Sequence, residues 1–413
     1  MQTSPTCRHC HAPLTRTLVD LGMSPLANSY VKPENAGVKC PEYELHVRVC
    51  DKCFLVQVED AVPAGDIFSE DYAYFSSFSE SWLAHCRNYV DTITNQLKLD
   101  SDDLVIEIAS NDGYLLQYFV ERGIPVLGIE PAAGVANAAI EKGVPTRIEY
   151  FDSALAKQLV AEGLRPSLVA SANVLAHVPD INDFVGGIAT LLDDNAVWTV
   201  EFPHLLNLIE KVQFDTIYHE HYTYLSLLTL ETIFAAAGLR VFDLETLPTH
   251  GGSLRLYICQ QEADRTERPI VEGMRKKERQ ANLDNPKGYD GFDDKVREIR
   301  QNLLTFMRAA KQGKRSIAAY GAAAKGNTLL NYCGITSDDI LYCVDRNPAK
   351  QNKLLPGSHI PVSPVERLRE ERPDFVLILP WNLRDEIAEQ LSDLAEQGTQ
   401  FVVPIPSLEI FSR

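Results

Sequence analysis

The sequence lacks any apolar run approaching the roughly 18 residues that suggest a membrane span. Residues 1–8 carry no apolar signal core, so the expectation is a cytoplasmic protein with no membrane partner. Basic residues are scarce: 39 Lys and Arg stand against 57 Asp and Glu, a formal charge of −18. A DNA or RNA backbone needs a basic footprint that this balance denies, so no nucleic-acid partner is expected. A local basic pocket for one small phosphate ligand is still compatible with it. Also missing are the GxGxxG turn of a dinucleotide fold and the HExxH pair of a zinc protease. Apolar residues make up 45% and charged residues 23% of 413 positions, an ordinary globular composition with room for two or three domains.

The cysteines are few but unevenly placed. Five of nine fall in the first 53 residues, and tight pairs within an odd total read as metal ligands in a reducing compartment. Cys7-Arg8-His9-Cys10 and Cys50-Asp51-Lys52-Cys53 are CxxC turns, each aiming two thiolates at one ion. Two such turns complete a tetrahedral Zn2+ site with no open position, so the expected role is structural rather than catalytic. Cys40 is spare, and His9 or His11 is an alternative to one thiolate.

Beyond residue 65, an aromatic and serine-rich stretch containing Tyr72 suggests a lid or cleft wall, followed by a helical pattern to about 97. Apolar runs at 104–108, 126–129, 168–172, 197–200 and 254–258 then alternate with helical patterns, a helix being expected over 114–122. That alternation predicts an α/β domain with a parallel, doubly wound sheet. Residues 264–313 turn charged and helical, with acids interleaved among the bases, and read as a solvated connector. Strands at 317–321, 340–344, 375–379 and 401–403 begin a second α/β unit at 314–413. The expected units are therefore 1–65, 66–263, 264–313 and 314–413.

Both α/β units use the plan strand, small-residue turn, helix, strand, acid. Ligands sit at the carboxyl ends of such strands, and an acid ending the second strand accepts hydrogen bonds from ribose hydroxyls. Glu130 and Asp345 stand at those positions. The first turn, Ala109-Ser110-Asn111-Asp112-Gly113, has one glycine, which disfavours close pyrophosphate approach and favours a phosphate-free ligand such as S-adenosylmethionine. Glu107, inside the preceding strand, is typical of methyltransferases. In the second unit, Lys325 near a helix N-terminus suits a diphosphate.

The densest chemistry is Tyr218-His219-Glu220-His221-Tyr222. Imidazoles titrate near neutrality, as general acid–base work requires. On an extended segment, residues two apart share a face, so His219 and His221 would look into one cleft with Glu220 turned aside. A polar loop with a structural Glu–His pair is the competing reading.

With Glu107-Ile-Ala-Ser-Asn-Asp-Gly113, Gly128-Ile-Glu-Pro131, Asn173-Val-Leu-Ala-His177, Phe214-Asp-Thr-Ile-Tyr-His-Glu-His221, His250-Gly-Gly-Ser-Leu-Arg255 and Gly321-Ala-Ala-Ala-Lys-Gly-Asn327 added to the cysteine pairs, the chain resembles the NDP-sugar C-methyltransferases over nearly its whole length. The family is α/β: a zinc-binding N-terminal module, a class I methyltransferase sheet and a C-terminal Rossmann-like domain. The resemblance implies S-adenosylmethionine held by Glu107, Ala109, Asn111, Gly113, Glu130 and Asn173. It implies a nucleotide-diphosphate sugar contacted by Tyr218, His219, Gly321, Ala322, Lys325, Asn327 and Asp345, with C3 of a 4-keto-deoxyhexose methylated. It implies His221 as base, Tyr218 and Glu220 orienting it, and His177 and Tyr72 polarising the C4 carbonyl. Rival readings are O- or N-methylation of such a sugar, an NAD(P)-dependent sugar oxidoreductase, or a non-enzymatic zinc-ribbon adaptor. The sequence is compatible with a monomer and does not set the oligomeric state.

Overall fold

The computed structural model describes residues 5–59 and 75–412, and Tyr72 lies outside them. Three sheets follow along the chain. The first is antiparallel, in the order Arg16–Ser24, Tyr43–Val49, Val56–Val58, Thr223–Tyr224. Strand Tyr43–Val49 alternates with period two, burying Leu45, Val47 and Val49. The last strand of this N-terminal sheet is supplied from the middle of the chain, directly after the Tyr218–Tyr222 block.

The second sheet has seven strands in the order Leu239–Leu247, Ser253–Gln260, Val197–Pro203, Leu168–Ala172, Val105–Ile108, Val126–Ile129, Thr146–Arg147. The expectation of a parallel sheet needs correction, because Ser253–Gln260 is antiparallel to both of its neighbours. The cause is the connection before it. Only residues 248–252 separate it from Leu239–Leu247, enough for a tight reversal but far short of the dozen or so residues that a parallel crossover needs. The helix expected over 114–122 is regular only at Gln117–Val120, with Tyr114, Leu115 and Leu116 buried in the turns that precede it. From Val105–Ile108 the chain places its next strands on one side and then crosses to the other, so a switch point lies beside Leu168–Ala172.

The third sheet runs Val362–Ser363, Cys343–Val344, Ile317–Tyr320, Phe375–Ile378, Gln400–Val403 in parallel, with Glu409–Phe411 antiparallel at one edge. The run expected as a strand over 340–344 pairs only at its last two residues. The charged stretch before this sheet forms helices Pro269–Gln280 and Phe292–Gln312. It is less solvated than its composition suggests. Val296, Ile299, Leu303 and Phe306, at helical spacing, join one core with Leu18 and Val47 of the first sheet and with Ile317 and Leu377 of the third. The long helix therefore welds the N-terminal sheet to the C-terminal one. Among the described residues, no helix is long and apolar enough to cross a membrane.

Candidate active site

One cleft of about 430 Å³ opens at the carboxyl ends of the second sheet. It runs from Asn111 and Glu130, past His177, Tyr218, Glu220 and His221, to Ala323, Ala324 and Lys325 of the C-terminal domain. Three elements thus share a single cavity.

At the first end the backbone is unusual. Ala109, Asn111 and Asn173 have φ of 59°, 48° and 55°, a left-handed conformation that residues with a Cβ adopt at a cost and that clusters at functional sites. Glu130 ends its strand 6% exposed, its Oε2 accepting from the Asn111 N–H at 3.0 Å and its Oε1 from the Ala132 N–H at 2.8 Å. Burial raises its pKa, and these two N–H groups oppose the rise. Asn173 lines the cleft, and its Oδ1 is buried with no partner among the described residues, as expected of a group awaiting a polar ligand. These residues fit an adenosyl ligand. Glu107 and Gly113 do not line the cleft. Glu107 is fully buried in its strand and burial pushes its pKa well up. Gly113 has φ +76° and backs onto Val144, a structural requirement of the turn.

At the centre, the Tyr218–His221 segment is a turn rather than a strand, closed by the His221 N–H donating to the Tyr218 carbonyl at 2.9 Å. The expected alternation therefore fails. His221 and Glu220 both reach the cleft, whereas His219 is directed away from it, donating through Nε2–H to the Glu44 carbonyl at 3.2 Å. His221 Nδ1–H donates to the Thr216 carbonyl at 2.9 Å, which fixes the tautomer and leaves Nε2 as the accepting nitrogen. The Tyr218 and His177 rings lie 4.0 and 4.7 Å from the His221 ring. Burial, then the neighbouring His177, holds His221 well below the ordinary imidazole value, so it is neutral. Burial pushes Glu220 up to about 7, partly offset by Asn28 Nδ2 donating to its Oε2 at 2.7 Å.

Asn28 carried no sequence signal. It reaches the cleft because its loop is pinned to the C-terminal domain: Asn327 Nδ2 donates to the Ala27 carbonyl at 2.6 Å, and the Tyr30 hydroxyl to the Ala322 carbonyl at 2.6 Å. Asn327 is thus a brace, and neither it nor Gly321, Ala322 or Asp345 lines the cleft. The Asp345 carboxylate accepts from the Ala322 and Asn347 N–H groups, both at 2.8 Å, holding its own turn. A Cβ at Gly321 would lie 2.4 Å from Pro380 Cδ, and one at Gly326 2.8 Å from Leu379 Cδ1. Those glycines therefore admit neighbouring side chains. Lys325 does line the cleft, over the Trp381 ring at 4.6 Å and bonded to Asn382. Lys350 joins it there, and together with Trp82, Asn28 and His250 it is a cleft residue to which no role had been assigned.

The four cysteines Cys7, Cys10, Cys50 and Cys53 bring their sulfurs within 4.8 Å of one another. A tetrahedron of Zn–S bonds near 2.3 Å needs sulfurs about 3.8 Å apart, so the donor set fits zinc. The two turns are built alike. The His11 N–H donates to the Cys7 carbonyl at 3.0 Å and the Phe54 N–H to the Cys50 carbonyl at 2.9 Å, with His11 and Phe54 both left-handed. His9 is directed away, donating to Asn182 Oδ1 at 2.8 Å, and the Arg8 guanidinium covers the Tyr222 ring at 4.7 Å. The metal module thus buttresses the Tyr218–Tyr222 block.

The pH dependence of stability reports on this burial. His177 Nδ1–H donates to the Glu220 carbonyl at 2.7 Å, and burial takes its pKa from 6.5 down to about 4. The unfolded chain therefore binds the proton first, and stability present above pH 6.5 is lost as pH falls toward 4. Relative to His177→Gln, wild type should lose about 3 kcal/mol between pH 7 and pH 4. Denaturant melts of both proteins measure it, and a pH-independent difference would show that water reaches the ring.

A seven-stranded sheet with one antiparallel insert, carrying a carboxylate at the end of its second strand and a ligand cleft at its switch point, defines a class I S-adenosylmethionine-dependent methyltransferase. Sequence comparison agrees. Residues 248–406 match a C-methyltransferase C-terminal domain, 82–244 a methyltransferase domain and 7–68 a zinc binding domain. C-methyltransferase NovU of Streptomyces niveus is 34% identical over 406 residues, covering 98% of this chain and 96% of its own. The chain belongs to the C-methyltransferase family. Among solved structures, magnesium protoporphyrin IX methyltransferase from Synechocystis PCC 6803 is 15% identical with a TM-score of 0.35, over 49% of this chain and 100% of its own. A Burkholderia thailandensis 1,6-didemethyltoxoflavin-N1-methyltransferase is 15% identical with a TM-score of 0.36, over 50% of this chain and 95% of its own.

Proposed function

We propose that the enzyme methylates C3 of a nucleotide-linked 4-keto-deoxyhexose through an enolate. The observation that carries this reading is the continuity of the cleft: an adenosyl-type end, a cluster of neutral imidazoles, and the cations Lys325 and Lys350 line one cavity. Carbon is a poor nucleophile until the proton alpha to a ketone is removed. His221 Nε2 takes the C3 proton, the C–H electron pair becomes the C3–C4 double bond, and negative charge develops on the C4 oxygen. The Thr216 carbonyl holds the ring by Nδ1–H and stabilises the charge it acquires. Glu220, its pKa near neutrality, orients the turn and offers the next site for the proton. His177, neutral and with its one N–H given to the Glu220 carbonyl, has none left for the ketone and instead packs on the His221 ring, so polarising the ketone is assigned to Tyr72. S-adenosylmethionine, when bound, supplies an electrophilic methyl group. Ala109, Asn111, Glu130 and Asn173 would hold it, and the side chains of Lys325 and Lys350 would face the diphosphate.

The test separates proton removal from methyl transfer. Wild type should be incubated in heavy water with S-adenosylhomocysteine and a nucleotide-linked 4-keto-deoxyhexose. Deuterium should enter C3. A methylated oxygen or nitrogen in the turnover product, without C3 exchange, would reject the enolate reading.

A further inference from the structure

The reversal between Leu239–Leu247 and Ser253–Gln260 carries Thr249-His250-Gly251-Gly252, and no role has yet been given to His250. Its backbone is left-handed, φ 55° and ψ 24°, and it is followed by glycines at φ 89° and 122°. Such a conformation is costly for a residue with a Cβ and persists only where the surroundings impose it. Here they do. The Thr249 hydroxyl donates to Glu201 Oε1 at 2.9 Å, and Glu201 is itself held by Arg255 at 2.6 Å. The Gly252 N–H donates to the Thr249 carbonyl at 2.9 Å, and the Gly252 carbonyl accepts from the His204 N–H at 3.0 Å. On the other side, a Cβ at Gly251 would lie 2.5 Å from Trp381 Cη2, so the C-terminal domain abuts the loop. Trp381 in turn donates through Nε1–H to Asp215 at 2.7 Å and lies beneath Lys325. The loop is therefore clamped between two domains at their shared cleft.

The ring so placed lines that cleft with its edge to Trp82, centroids 5.5 Å apart. Neither of its nitrogens has a hydrogen-bond partner among the described residues, and Nδ1 is buried without one. A ring left without partners at a strained, over-determined position marks a site that a ligand completes. Burial, with nearby Lys325, keeps the imidazole neutral by taking its pKa down to about 4. A neutral imidazole carries one N–H and can donate it without competing for the substrate's proton. Lys325 acts electrostatically on this ring and the ring in turn on His221, so it lies within electrostatic reach of both the cation and the proposed base.

We propose that His250 is a further catalytic residue of the cleft, donating Nε2–H to the sugar oxygen that carries the enolate charge. The inference rests on the enolate reading above. An imidazole held in place before the reaction costs no reorganisation as charge develops on that oxygen, which is how oxyanion donors accelerate reactions.

The experiment uses His250→Asn, which tolerates the left-handed backbone but is too short to reach, and His250→Gly, which keeps the loop and opens space for added imidazole. In both, kcat should fall by about 10²–10³-fold. C3 deuterium exchange should fall by the same factor, with S-adenosylhomocysteine affinity and sugar-nucleotide KM nearly unchanged. Added imidazole should restore exchange in the glycine variant. A rise in KM at unchanged kcat, loss of turnover with exchange intact, or loss of S-adenosylhomocysteine affinity in both variants would overturn the proposal. Wild type failing to exchange would overturn the enolate reading first and this proposal with it. Normal exchange in both wild type and variants would overturn this proposal alone.

Discussion

His221→Asn should bind S-adenosylhomocysteine and the sugar nucleotide and yet turn over about 10²–10⁴-fold more slowly than wild type, the usual contribution of a positioned base. Asparagine keeps much of the volume and can still donate to the Thr216 carbonyl, so the turn that His221 closes with Tyr218 survives. It cannot accept a proton at neutral pH. Because His177 and Tyr218 pack on the ring from two sides, the variant also loses their alignment. Donor affinity, measured by calorimetry, should hold while C3 exchange in heavy water disappears. A variant that methylates at a near wild-type rate would pass the base to Glu220, whose carboxyl titrates near 7, or to Tyr218. His219 is no candidate, since its ring is directed out of the cleft toward the Glu44 carbonyl.

Removing zinc should have the largest effect on stability. Structural zinc contributes about 10–16 kcal/mol in small zinc-finger peptides, as much as the whole folding stability of a typical domain. Cys7, Cys50 and Cys53 are not peripheral here. They belong to the same core as Leu225, Phe234 and Trp198, and Gln57 donates to Cys7 Sγ at 3.3 Å. Metal analysis should find about one zinc per chain. Chelation, or Cys7→Ser, should lower the melting temperature sharply, whereas any folded remnant should retain much of its turnover because four thiolates leave the metal no coordination position for substrate. Metal-free protein that melts like the native form would defeat the assignment.

How far the sequence could be read depended on whether a feature was local. Buried strands such as Val105–Ile108 and Leu168–Ala172 are continuous apolar runs, and a CxxC pair brings its own geometry, so both were legible. The direction of Ser253–Gln260 was not in its composition, only in the five-residue connection before it. His219 and His221 were assigned one face because an extended segment was assumed, and a single turn hydrogen bond reverses that. Glu130, Asn173 and Lys325 reach the cleft, but Gly321 and Asp345 obey a nucleotide-fold pattern while serving their own turn. Asn28 and Lys350 come from loops docked by tertiary contacts, for which no sequence period exists.

The N-terminal sheet closes on Thr223–Tyr224, which pairs with Val56–Val58. As the chain leaves the ribosome, the metal-binding knuckles and three strands emerge first, and the fourth follows more than 160 residues later. At about 5–20 residues per second, Val56–Val58 waits on the order of ten to thirty seconds with an open edge, a template for another nascent chain. The strand that ends this exposure follows immediately after His221. The pairing that covers Val56–Val58 is therefore also the one that carries the proposed base into position, and a chain stalled before residue 223 keeps that edge open.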